Sequence, residues 1–139
     1  MTASEKSEKA TTTAKAGPAT PTLAMFTIDC ADPGPTATFY AELLGLTVSY
    51  QDDDAVMLAG ESGPALGFGR VEGHRPPAWP DPDGGKQFHL DLNVADIPAA
   101  TARALELGAT EPEFQPGEGK WTVLLDPAGH PFCLATWPS

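Results

Sequence analysis

His89 and Asp91 are the residues whose types and spacing most invite chemistry. They stand in a strand-like stretch where Phe88, Leu90, Leu92 and Val94 alternate with His89, Asp91 and Asn93. Side chains two apart on a strand share a face, with Cα atoms about 6.6 Å apart. A carboxylate beside an imidazole tunes its proton affinity, so the pair reads as an acid/base or a polar anchor for a bound molecule. A hydrogen-bonded pair that ties two strands together explains the same pattern, and the sequence leaves both open. Cys133 lies on a second alternating stretch, with Phe132 and Leu134 on one side and Cys133, Ala135 and Trp137 on the other. A nucleophilic thiol needs a base or positive charge nearby. Locally only His130 is available, in the turn after Asp126-Pro127-Ala128-Gly129, so Cys133 reads as a packed thiol on the wall of a site.

Met25, Asp29, Phe68 and Trp121 complete the expected lining, with Trp137. Aromatic walls and a few polar groups are the usual make-up of a small-molecule pocket, although the same residues can simply fill a core. Asp29 and Asp91 facing one hollow would repel, so either one of them is protonated or a basic ligand neutralises both. Arg70, in register with Phe68, is expected at the rim; Arg75 is the other nearby cation. Cys30 reads as core, and His74 and His130 as exposed turn residues. Asp52-Asp53-Asp54 lacks the spacing of a calcium loop and reads as a hairpin tip. No GxGxxG, Walker loop, GxSxG, HExxH or CxxC occurs.

The elements that must position these residues come in two similar sets. Leu23 to Ala31 is strand-like and ends at Asp32; Pro33 and Pro35 follow, then a short helix over Phe39 to Leu44, closed by Gly45. The order returns with Gln87 to Ala95, Asp96, Pro98, Ala99 to Leu107 and Gly108. Asp can cap each helix, Pro suits its first turn and Gly ends it. Strand-like pieces follow each glycine: 46–50, 55–59 and 65–71, then 110–114, 121–125 and 132–137. The expected architecture is α+β: two βαβββ modules, 23–71 and 87–139, joined by a Pro/Gly-rich connector at 72–86. Phe26, Ile28 and Cys30, like Phe88, Leu90 and Leu92, are expected beneath their helix, with Met25, Thr27 and Asp29 facing a concave hollow. Residues 1–22 read as a disordered tail of small polar, Ala and Pro residues.

Composition narrows the function classes. The 139 residues carry 8 Lys+Arg against 19 Asp+Glu, a formal −11, and three of those basic residues sit in the tail. Such a balance argues against binding nucleic acid or an anionic membrane surface. No apolar run suits a transmembrane helix, and no signal peptide or disulfide framework is evident, so a cytoplasmic domain is expected.

Five stretches carry a resemblance. They are Ile28-Asp29-Cys30-Ala31-Asp32-Pro33, Phe39-Tyr40 with Leu44-Gly45, Leu66-Gly67-Phe68, His89-Leu90-Asp91-Leu92, and Asp126-Pro127-Ala128-Gly129-His130-Pro131-Phe132-Cys133-Leu134. In this order the chain resembles the vicinal oxygen chelate superfamily, and within it the glyoxalase-like, bleomycin-resistance-like branch common in actinobacteria. The resemblance implies a cup-shaped mixed β-sheet with helices on its outer face, a site inside the cup and a homodimer. It also implies a divalent metal at positions held here by Met25, Gly67, His89 and Cys133, of which only His89 keeps the donor type. No metal cofactor is therefore expected. The function implied is binding of a small organic molecule in a metal-free cup. The alternative is a lyase, isomerase or dioxygenase-like enzyme using His89 and Asp91 as acid/base, or an unconventional divalent metal site. A third alternative is an accessory module whose cup is filled by its own side chains.

Overall fold

The computed structural model describes residues 23–83 and 88–136; the tail, Gln87 and Trp137 lie outside the described residues. Strand β1 (Met25–Cys30) leads into helix α1 (Pro33–Leu44), followed by β2 (Thr47–Gln51), β3 (Ala55–Ala59) and β4 (Ala65–Arg70). The second set is β5 (Leu90–Asn93), α2 (Ile97–Leu107), β6 (Trp121–Leu125) and β7 (Pro131–Ala135). Prolines in the first turn start both helices, where a missing N–H costs nothing. Asp96 caps α2 by accepting from Ala99 N at 3.4 Å, whereas Asp32 makes no side-chain cap. Gly45 (φ 68°) and Gly108 (φ 118°) end the helices in the left-handed region.

The strands form two mixed sheets, ordered β1-β4-β3-β2 and β5-β7-β6. The first strand of each module pairs parallel with the last, β1 with β4 and β5 with β7. Both helices cover the same side, over a single core that joins the modules. Tyr40 stacks on Phe68 (centroids 5.3 Å apart), and Phe39 and Tyr40 meet Phe132 of the second module. Tyr40 Oη donates to Asp126 Oδ2 at 2.8 Å, while Asp126 Oδ1 accepts from the backbone N–H groups of Ala128 and His130. Asp126 is thus a buried carboxylate with both oxygens satisfied, tying α1 to the turn before β7. Among the described residues no helix is long and apolar enough to cross a membrane.

Several expectations are corrected. The strand expected at 110–114 is reduced to one bridge, Thr110 to Leu125. Pro112 and Pro116 cannot donate to a ladder. A side chain substitutes: Gln115 Oε1 accepts from Val123 N at 2.8 Å, and its Nε2 donates to Val123 O at 2.9 Å. Phe88 precedes β5 and is 93% exposed. Phe26 is 43% exposed, because α1 lies over β3 and β4 rather than over the outer strand β1. The described part of the connector, 72–83, packs against the second module. His74 lies against His130, with ring centroids 5.1 Å apart, and Pro76 closes on Gly129 so tightly that a Cβ there would stand 2.7 Å from Pro76 Cγ.

Candidate functional site

The face turned away from the helices is set by strand parity. In the second sheet Asp91, Cys133 and Val123 form one row across β5, β7 and β6, and Asn93, Ala135 and Trp121 the next. Cys133 and Val123 are buried although neither belongs to the helix-side core, so this face is covered as well. Part of the cover is the turn at Gly117, which packs so close to Trp121 that a Cβ would lie 2.7 Å from its ring.

His89, just before β5, puts Nε2 3.3 Å from Asp91 Oδ1. Trp79, from the connector, stacks on the imidazole with centroids 4.9 Å apart and planes inclined by 26°. The other ring nitrogen, Nδ1, is buried and has no hydrogen-bond partner. Leaving such a group unsatisfied costs about 1–3 kcal/mol, which a bound partner would relieve. Cys133 Sγ completes the cluster: one ligand-capable atom from each of His89, Asp91 and Cys133 lies within 4.8 Å of the other two.

The structure therefore brings His89, Asp91 and Cys133 together and puts Trp121 on the same face of the same sheet. Met25 lies over Gly67, its Sδ 2.8 Å from where a Cβ on that glycine would be. Asp29 is an exposed residue whose backbone carbonyl accepts from His130 Nε2 at 2.5 Å, so His130 is a link between modules rather than a free turn residue. Phe68 is corrected: it points into the helix-side core against Tyr40 and is not a wall of the site. Arg70 goes with it. Its guanidinium donates to the carbonyls of Asp53 and Ala31, clamping the hairpin tip to the end of β1. The residue the sequence reading missed is Trp79. A tryptophan among prolines in a polar connector has no strand or helix to shelter in, which was the available signal that it packs onto something. A groove of about 660 Å³ between α1 and α2, lined by Phe39, Glu42, Leu107 and Pro127, lies on the helix side and holds none of these residues.

Two mixed sheets of four and three strands, with two helices on one side and the chemistry-bearing residues on the other, define a vicinal oxygen chelate fold. The family described as glyoxalase-like domain matches residues 25–135, and the chain belongs to that family. A glyoxalase-related enzyme from Fulvimarina pelagi is similar, with 21% identity, TM-score 0.61 and 84% of this chain and 88% of that chain covered. A glyoxalase/bleomycin resistance protein/dioxygenase family enzyme from Burkholderia phytofirmans PsJN shares 19% identity at TM-score 0.62, covering 81% and 95%. A lactoylglutathione lyase from Agrobacterium tumefaciens shares 14% at TM-score 0.54, covering 83% and 92%. At these identities the likeness is one of fold. A comparison with curated proteins finds no match.

The divalent ion implied by the resemblance does not fit its four positions here. Gly67 has no side chain, and the Met25 thioether occupies the space over it, so the first module offers neither a carboxylate nor an imidazole. In the second module the donors number three rather than two, because the strand register sets Asp91 opposite Cys133.

Proposed function

We propose that the chain binds a small organic molecule on the inner face of its sheets, without the four-position ion implied by its superfamily. His89 and Asp91 anchor the polar part of the molecule. Trp79, Trp121, Met25 and Cys133 supply the surrounding surface. The observation that carries this reading is the buried, unpartnered Nδ1 of an imidazole held by Trp79 and Asp91. Asp91, half exposed, and the chain's formal −11 favour a cationic ligand.

Calorimetry with a panel of cationic and aromatic metabolites tests it. A hit should lose about tenfold in affinity in His89→Gln, the worth of one hydrogen bond to a buried group. Silence across the panel, or a hit indifferent to His89, overturns the reading. The same 3.3 Å pair favours a second reading, a lyase, isomerase or dioxygenase-like enzyme with His89 as base and Asp91 orienting it. Turnover of a ligand that stops in His89→Gln while binding persists selects that second reading.

A further inference from the structure

We infer that His89, Asp91 and Cys133 form a three-ligand site for a thiophilic divalent ion of the Zn²⁺ type, built wholly within the second module. This differs from an ion spread over the positions of Met25, Gly67, His89 and Cys133: it recruits Asp91 and takes nothing from the first module. Two ligands on a tetrahedral Zn²⁺, bonded at about 2.0–2.3 Å, stand about 3.4–3.6 Å apart. His89 Nε2 and Asp91 Oδ1 are already 3.3 Å apart, and all three ligand atoms lie within 4.8 Å of one another. Small side-chain rotations close the remainder.

Two further features fit an ion. Asp91 and Cys133 are Cα partners on adjacent strands, so a sheet rather than a loop fixes their spacing. The imidazole beside them is held by Trp79, which stacks on it with ring centroids 4.9 Å apart, so its donor nitrogen is positioned before an ion arrives. The donor chemistry selects the metal. Thiolate with imidazole suits Zn²⁺ and its relatives, whereas Mg²⁺ and Ca²⁺ take oxygen ligands and more of them. A carboxylate and a thiolate together balance the two positive charges. Uptake releases the thiol proton of Cys133 to solvent, so affinity rises with pH. Three protein ligands leave one position for a donor from outside, on the side where Asp91 is 49% exposed.

The test uses the full chain, reduced and stripped by chelator, titrated with Co²⁺ and read by absorbance. The expected result is one equivalent of Co²⁺ with a near-ultraviolet thiolate charge-transfer band. Zn²⁺ displaces it, and millimolar Mg²⁺ or Ca²⁺ does not. Cys133→Ser should abolish the band, Asp91→Asn should weaken Co²⁺ binding by at least about tenfold, and Met25→Leu should leave both unchanged. No band in folded protein, a band that survives Cys133→Ser, or one lost in Met25→Leu overturns the site. The inference shares residues with the organic-ligand site but does not rest on it. Ligand binding by the stripped protein without a Co²⁺ band sinks the ion alone, and a band without any ligand sinks only the other reading.

Discussion

Tyr40 carries its hydroxyl into the core to meet one partner, the Asp126 carboxylate. Burial first, and then the negative charge of Asp126, push its pKa well above the ordinary value of 10.0. The folded state therefore holds this proton more tightly than the unfolded chain does. That stabilisation is complete below about pH 10 and is lost as pH rises further and the unfolded tyrosine ionises. Tyr40→Phe should cost about 1.5–3 kcal/mol in denaturant unfolding at neutral pH, because Asp126 keeps its burial and loses a donor. It should also flatten the alkaline limb of the stability profile; an unchanged limb would contradict this assignment. At the hairpin tip the Tyr50–Asp52 hydrogen bond lowers the Asp52 carboxyl and raises Tyr50, but the pair is exposed and contributes little. Single residues were unevenly legible in the sequence. His89 and Asp91 share a face because a period of two requires it. Phe68 was assigned to the wrong face because its neighbours Gly67 and Gly69 have no side chains, so nothing in that stretch marks which side is polar.

At the scale of elements, the connector contributes most that composition hides. Prolines remove backbone donors, so the stretch from Glu72 onward reads as loop, and its place is decided only by what it touches. Pro76 closes on Gly129 and Trp79 on His89, so one strap packs against both the turn before β7 and the site. Gly129 has φ 91°, where a side chain is strained, and its Cβ would meet Pro76. Gly129→Ala should cost at least about 1–2 kcal/mol. Because the same strap carries Trp79, ligand affinity should fall along with stability. Unfolding and calorimetric titration of the one variant measure both, and a stable variant with wild-type affinity would show that the strap is not coupled to the site. The ends of both helices were legible because a glycine closes each, at Gly45 and Gly108. Helix α1, however, begins at Pro33, well before the helix expected from Phe39, since a proline in the first turn starts a helix rather than preceding it. The state of 110–114 was not legible, since an apolar run reports burial but not whether its backbone finds a partner.

For the whole molecule, the repeat of strand, helix and strands made the two-module plan legible, and one aromatic core unites the halves. The register between the modules was beyond the sequence, because it depends on contacts such as Tyr40 with Asp126 and His130 with the Asp29 carbonyl, far apart along the chain. We propose in addition the homodimer that the resemblance implies. Leu23 (63% exposed), Phe26 and Phe88 leave apolar surface uncovered, as do Val48 and Tyr50 on the outer strand β2. Light scattering during size exclusion should give twice the 14.5 kDa of one chain. A single-chain mass at micromolar concentration would remove the dimer. The two modules also differ at their margins. Where the first ends its sheet with β2, the second ends with β6 and one amide, Gln115, which satisfies the N–H and C=O of Val123 in place of a neighbouring strand. A lone side chain thus acts as the selvedge of that fabric, and cutting it would bare a strip of backbone on which another extended peptide can knit.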